Sequence, residues 1–457
     1  MLADTVTPVS IYLKLRDKYR DAILLESSDY HGNEDALSYI CCNPMATFML
    51  TKDKLTREFP DGKQDEVPLE KGAVVKALGE FAAAFSLHGE EFKFTTNGLF
   101  GYTAYPAVQH FEDLDLQHIS EADEDIPLIR YDVYQYVVVV DHFKNELYIF
   151  QHDTVEGATP DGLQAIASLI NNRNLPVYGF TRNGEETSNF TDAEFTDIVK
   201  KGIEHCHRGD VFQIVLSRRF QTPFQGDEFN VYRALRSINP SPYLYYFDYG
   251  SFKIMGSSPE AQLVVRGREA SIYPIAGTFL RTGNDEADRQ LAQKLMDDPK
   301  ENSEHVMLVD LARNDLSRHG DEVTVETFKE VQFFSHVIHL VSKVTGKLGE
   351  GENSFQMVAD TFPAGTLSGA PKHMAMTLID KYENRARGYY GGAIGYLGFN
   401  GDFNHAIMIR SFMSQAGRLH YQAGAGVVAK SNPDSEREEV NNKLAALRQA
   451  LNMAETL

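Results

Sequence analysis

The sequence predicts an α+β fold built around antiparallel sheet. Three observations carry this expectation. Apolar strand-like runs and helical stretches are interspersed without the regular alternation of a doubly wound sheet. Several runs are joined by very short turns, such as His142-Phe143-Lys144-Asn145 and Asn400-Gly401, which suit hairpins rather than crossovers. No dinucleotide glycine fingerprint, Walker loop, G-x-S-x-G elbow or HExxH pair is present.

Taken in order, residues 134–141 read as a buried strand, with Val137 and its three apolar successors at the centre, and residues 146–150 as its hairpin partner. The acidic stretch 112–125 is expected as a surface loop. The polar, turn-rich segment 183–189 separates an N-terminal region, 1–182, from a second region, 189–457. Thr191-Asp192-Ala193-Glu194 then has the form of a capping box: a Thr hydroxyl for an orphan amide and a Glu to reach back. Phe195, Ile198, Val199 and Ile203 follow at helical spacing, Gly209-Asp210 ends that helix, and 211–216 reads as a buried strand. Further strands are expected at 253–255, 262–266, 391–399, 405–411 and 418–423. Further helices are expected at 285–296, 303–312, 354–360, 373–382 and 435–451.

Composition narrows the function. With 44 Lys+Arg against 65 Asp+Glu the formal net charge is -21, which repels nucleic-acid backbones and anionic lipid. An anionic substrate therefore needs a locally positive site. Three cysteines, with Cys41 and Cys42 adjacent, form no disulfide framework and no metal spacing, so a reduced, cytoplasmic compartment is expected. No signal peptide or bilayer-spanning apolar run is read.

Two carboxylate pairs stand out. Glu301 and Glu304, and Glu436 and Glu439, are each spaced by three, which places each pair on one helix face. Asn432-Pro433 before the second pair reads as an N-cap and first-turn proline, and Lys443 shares the face of Glu439. If gathered, four carboxylates would need a hard divalent cation such as Mg²⁺; otherwise they complement helix dipoles at the surface. Gly424-Ala425-Gly426, Gly391-Gly392 and Pro363-Ala364-Gly365-Thr366 read either as amide cradles for an anion or as tight sheet corners. Arg410, after an apolar run, suits a bidentate carboxylate grip or a structural ion pair. His339, taken alone, reads as a core histidine, and Glu260 as a loop acid.

Read jointly, five segments resemble the chorismate-utilising enzymes, and within them the large components of anthranilate synthases. They are Gly256-Ser257-Ser258-Pro259-Glu260, Pro274-Ile275-Ala276-Gly277-Thr278, the run from Glu304-His305 to Asn314-Asp315, the run from Ala364-Gly365-Thr366 to Pro371-Lys372, and Gln422-Ala423-Gly424-Ala425-Gly426. The likeness covers most of the chain and is dense from about 210 to 447. It implies stacked antiparallel sheets flanked by helices, with chorismate in a cleft. It implies Mg²⁺ held directly by Glu304 and Glu439 and through water by Glu301 and Glu436. Gly424, Ala425, Gly426 and Lys443 would meet the ring carboxylate, Arg410 and Tyr390 the enolpyruvyl side, and Gly277 and Thr278 the ring, with Thr278 counted among the catalytic residues. Glu260 would be the general acid for the departing ring hydroxyl, and His339 the proton carrier during pyruvate loss.

Two positions indicate the branch. Water-using relatives place a lysine base where this chain has Gln213, and aminodeoxychorismate synthases, the nearest alternative, carry a nucleophilic lysine where it has Ala276. Both substitutions favour ammonia as nucleophile and anthranilate as product. Leu24-Leu25-Glu26-Ser27 and Asn239-Pro240-Ser241-Pro242-Tyr243-Leu244-Tyr245 resemble the family's L-tryptophan feedback segments. The resemblance implies Glu26 and Ser27 at the ligand's ammonium, with Asn239, Pro242, Tyr243 and Leu244 completing the pocket. No amidotransferase nucleophile motif surrounds any of the cysteines, so a separate glutamine amidotransferase subunit is implied, in a hetero-oligomer.

Overall fold

The computed structural model describes all residues except 28–35, 71, 120–125, 156, 158, 334–336 and 350–353, and only the backbone of 278, 300 and 337. The end of the expected acidic loop 112–125 and the segment after Ser27 therefore lie partly or wholly outside the described residues.

One continuous path of antiparallel strand pairs organises the chain. Gln213–Gly226 pairs with Arg418–Val427, which pairs with Ser411–Gln415, then Phe252–Ser258, then Tyr243–Asp248. The path continues through Ile23–Ser27, Leu37–Leu50, Ile129–Asp141 and Gly98–Thr103. It ends through Ala393–Gly398, Phe403–Ile407, Ala261–Arg266, Glu269–Ile272 and Val337–Leu348, the last flanked by Ile275–Leu280 and Gly320–Phe333. Short hairpin connections do supply several of these pairs: 129–141 with 146–151 across residues 142–145, and 393–398 with 403–407 across Asn400-Gly401. The fold is α+β, as expected from the uneven spacing. Strands from residues 23–141 are woven between strands from residues 213–427.

Helices cover the sheet with their apolar faces. Asp192–Arg208 begins at the Thr191 capping box, where the Glu194 carboxylate accepts from the Thr191 amide at 2.7 Å, and stops at Gly209, whose φ of 81° suits a residue without a β-carbon. Pro433–Ala454 begins at Asn432, whose side chain accepts from the amides of Asp434 and Ser435. It packs on Arg418–Val427 and buries Val440, Leu444, Leu447 and Leu451. Pro299–Leu316 packs on Ile275–Leu280 and Val337–Leu348, at the far end of the strand path. Pro299–Leu316 and Pro433–Ala454 therefore carry the pairs Glu301/Glu304 and Glu436/Glu439 in their N-terminal turns, beside different ends of the same path.

One expected strand is two. The run 405–411 breaks between Phe403–Ile407 and Ser411–Gln415, with Arg410 at φ 50°. A left-handed arginine is a strained conformation, and here it turns the chain from one part of the sheet to another. Among the described residues no helix is long and apolar enough to cross a membrane.

Candidate active site

The two ends of the strand path meet through side chains. Gln213, at the start of Gln213–Gly226, donates from Nε2 to Glu304 Oε1 at 3.1 Å, and Glu304 stands in the first turns of Pro299–Leu316. Beside Gln213–Gly226 runs the strand carrying Gly424-Ala425-Gly426, in register with Ser217, Leu216 and Val215. These glycines are strand residues, where a corner or loop was also open. Gly424 turns its backbone away from Gln213–Gly226: its carbonyl accepts from Lys443 Nζ at 2.8 Å, and its amide meets the Tyr390 hydroxyl. Strand alternation turns Gly426 the same way and Ala425 the opposite way. A β-carbon at Gly426 would come 2.5 Å from Gln213 Nε2, so the glycine permits that approach.

Lys443 is the cationic centre of this wall, with Nζ also 2.7 Å from Glu439 Oε1. Its charge reaches Glu260, whose Oε1 accepts from the Thr366 hydroxyl at 3.1 Å. Glu260 is pinned through its backbone, with its carbonyl accepting from Ile407 and its amide donating to Ser258 Oγ. Desolvation dominates its ionisation and pushes the carboxyl up to about 8, against the smaller opposing effects of Thr366 and Lys443. Glu260 is thus a protonated acid at neutral pH. Thr366 was not singled out from sequence, although it lies inside one of the long motifs; its hydroxyl contact spans 106 residues and has no local signature.

The opposite wall is the strand Ile275–Leu280. Gly277 sits in a bulge at φ 71°, where a β-carbon would lie 2.5 Å from Leu295 Cδ1 and 3.1 Å from Glu301 Oε2. Only glycine fits. Its carbonyl meets His339 Nδ1 at 2.9 Å. A carbonyl can only accept, so Nδ1 carries the proton and Nε2 is the basic nitrogen. Burial lowers the His339 pKa against the opposing Gly277 hydrogen bond, with a smaller lowering from nearby Arg410, and so favours the neutral ring. Thr278 is in register with His339; its side chain lies outside the description. Ala276 is buried in the same strand.

Arg410 closes the cleft from the strand break. Burial pushes its pKa down, and Tyr390, whose own hydroxyl burial holds well above the usual phenol range, is its main electrostatic neighbour. Among the described residues no carboxylate forms an ion pair with Arg410. A desolvated guanidinium without a counter-charge is costly, and an incoming carboxylate would relieve it.

The four acidic residues do not converge as one cluster. Among the described residues no group of three or more His, Cys, Asp or Glu stands together as metal ligands. Glu304 is held by Gln213, Glu439 by Lys443, Glu301 lies against Gly277, and Glu436 is buried at the base of its helix. Bare carboxylates repel, and each takes a neighbour instead. The donor chemistry still suits a hard cation: Glu304 meets an uncharged amide, and no ion pair with it occurs among the described residues.

The two expected regulatory segments are adjacent strands, with Glu26 opposite Leu244 and Ser27 opposite Tyr243. Asn239 reaches Ser241 Oγ and the Ser257 carbonyl, Pro242 follows at the head of Tyr243–Asp248, and Leu244 is buried. Glu26, expected at a ligand's ammonium, already carries partners here. Its carboxylate takes a bidentate pair from Arg236, at 2.8 and 2.9 Å, and the Tyr232 hydroxyl at 2.6 Å, because a buried charge must be compensated.

Comparison with known proteins identifies the family. The family model described as chorismate binding enzyme matches residues 21–449. Anthranilate synthase component 1 from Aquifex aeolicus is 38% identical over all of this chain and 94% of its own. Anthranilate synthase component I from Streptococcus pneumoniae superimposes with a TM-score of 0.80 at 30% identity, covering 98% of this chain and 99% of that one. The menaquinone-specific isochorismate synthase MenF from Escherichia coli shares the fold, with a TM-score of 0.72 at 19% identity over 98% and 92% of the two chains. A family match over nearly the whole chain, with full-length relatives above 30% identity, places this protein among the chorismate-binding enzymes.

Proposed function

We propose that this chain is the large component of an anthranilate synthase, a lyase that converts chorismate and ammonia to anthranilate, pyruvate and water. The observation that carries the reading is the placing of three side chains: a buried Glu260 held by Thr366, His339 with Nδ1 on the Gly277 carbonyl so that Nε2 is basic, and an amide, Gln213, where activation of water would need a base.

Arg410 and Tyr390 hold the enolpyruvyl carboxylate, while Lys443 and the amide edge at Gly424 and Gly426 face the ring carboxylate. Ammonia, already a nucleophile, forms a C–N bond to the ring carbon beside that carboxylate, and the ring double bonds shift. The allylic ring hydroxyl leaves with the Glu260 proton as water, so it never departs as hydroxide. His339 Nε2 then takes the proton from the aminated carbon, the ring aromatises, and the ether bond breaks. The departing enolpyruvate takes up at carbon a proton that balances the one His339 removed and becomes pyruvate, while the extra proton on the new amine restores the Glu260 carboxyl. Glu304 and Glu439 would hold Mg²⁺ directly, with Glu301 and Glu436 acting through its water. When bound, the ion supplies charge compensation for the ring carboxylate.

Ammonia is delivered from glutamine by a separate amidotransferase component, in keeping with what a "component 1" name implies for its relatives. L-Tryptophan inhibits at the junction of Ser27 with Tyr243, which links strands from the two regions and so offers a two-state contact. Glu26, oriented by Arg236 and Tyr232, and Ser27 meet the ligand's ammonium. A fluorescence assay on the purified chain, with chorismate, Mg²⁺ and an ammonium salt, tests the reading. Anthranilate formation that requires ammonium and declines with tryptophan is expected; chorismate left intact would refute it.

A further inference from the structure

The cleft rests on a buried ion pair that none of the roles above uses. Arg387 and Glu383 are 2% and 4% exposed. Arg387 Nε donates to Glu383 Oε2 at 2.9 Å, and Nη2 to Glu383 Oε1 at 2.6 Å. The same guanidinium donates from Nη1 to the Leu367 carbonyl and from Nη2 to the Val215 carbonyl, each at 2.6 Å. Its Cζ lies 4.8 Å from the Tyr105 ring centroid and 5.8 Å from that of Tyr390. Glu383 Oε1 also accepts from the amide and the hydroxyl of Ser217, both at 2.8 Å, and Gln422 Nε2 donates to that hydroxyl at 2.7 Å.

Three of the segments the pair touches belong to the site. Leu367 follows Thr366, the donor to Glu260. Val215 and Ser217 are in register with Gly426 and Gly424. Tyr390 touches the Gly424 amide and neighbours Arg410. An ion pair this deep is a poor source of net stability, because desolvating both charges costs about what their attraction returns. Its fork geometry instead holds three segments at fixed mutual distances, which a point charge or an apolar pair would not do.

We propose that Arg387 and Glu383 are positioning residues for the reaction: together they set Glu260, Tyr390 and the Gly424–Gly426 edge in one productive arrangement without touching substrate. This rests on the anthranilate synthase reading for its kinetic consequences, but its structural claim can be measured without turnover. The variants are Arg387→Lys, which keeps charge and loses the fork, and Arg387→Met/Glu383→Leu, which removes both charges and keeps an apolar interior.

The first readout is kcat against KM for chorismate. A loss of roughly 10- to 100-fold in kcat is expected, with KM within about threefold, in both variants. The second is a carboxyl NMR titration of ¹³C-labelled glutamates, with Glu260 assigned by Glu260→Gln. Loosening the Leu367–Thr366 turn admits water, so the Glu260 midpoint is expected to fall by about one pH unit or more. A folded double variant with unchanged kcat and an unchanged Glu260 midpoint would overturn the proposal and leave the pair a packing feature. If the parent chain makes no anthranilate, the functional reading fails, while the titration still decides whether this pair positions Glu260.

Discussion

Removing the Thr366 hydroxyl should make the enzyme perform better at alkaline pH. Thr366 Oγ1 donates to Glu260 Oε1 at 3.1 Å and stabilises the ionised form, thereby lowering a pKa that burial has pushed up to about 8. Thr366→Val keeps the shape and deletes the donor. A hydrogen bond to a charged acceptor is worth about 1.5–3 kcal/mol, and this one is long and half-buried, so the lower end applies. At 1.36 kcal/mol per unit, the Glu260 pKa should rise by about one unit. Near pH 7 the acid is protonated in both proteins and their rates should agree closely. At pH 9 the protonated fraction rises from about 10% to about 50%, roughly a fivefold gain over the parent chain. The assay is anthranilate fluorescence across pH 6.5–10, with total ammonium adjusted to hold free ammonia constant. An alkaline limb that stays put, or moves to lower pH, would refute Glu260 as the acid whose proton the rate requires.

Four further outcomes follow from the same geometry. Glu260→Gln should stabilise the fold as pH rises: a carboxyl whose folded pKa is raised costs stability between its unfolded value near 4.3 and about 8, on the order of 3 kcal/mol by pH 7, so the variant's Tm should exceed the parent's at pH 8 and match it at pH 4. Arg410→Met removes a desolvated charge, so thermal stability should rise while KM for chorismate increases by roughly 10- to 100-fold; unchanged KM would remove Arg410 from the binding site. Gly277→Ala places a β-carbon 2.5 Å from Leu295 Cδ1 at a left-handed position, and should cost activity about 100-fold or more, with displaced His339 resonances in NMR. Chelation should abolish turnover and added Mg²⁺ restore it, whereas Glu439→Ala should resist rescue at any ordinary Mg²⁺ concentration; full activity in chelator would exclude the cation from the mechanism.

What the sequence made legible was mostly local. The capping box at Thr191, the Asn432-Pro433 helix start and the Asn400-Gly401 hairpin turn depend on neighbouring residues, and each stands where its pattern put it. The family resemblance carried the expected stacking of antiparallel strands. Long-range consequences were not legible from spacing. Nothing in the apolar run 405–411 reveals that the chain breaks at Arg410, because the left-handed turn is imposed by strands that pair with Ala261–Arg266 on one side and Phe252–Ser258 on the other. The contact of Gln213 with Glu304 joins the two ends of a path through most of the sheet. Glu383 and Arg387, spaced by four, look like an ordinary surface pair in sequence, and only the packing of Tyr105, Tyr390 and Val215 around them makes them a buried junction.

The central claim is that ammonia, and not water, attacks chorismate in this cleft. Incubation of the purified chain with chorismate, Mg²⁺ and ¹⁵N-ammonium, followed by chromatography and mass spectrometry of every product, tests it directly. Anthranilate carrying one ¹⁵N, formed in equal amount to pyruvate and without isochorismate, is the predicted result. Isochorismate, or aminodeoxychorismate without pyruvate, would contradict the account.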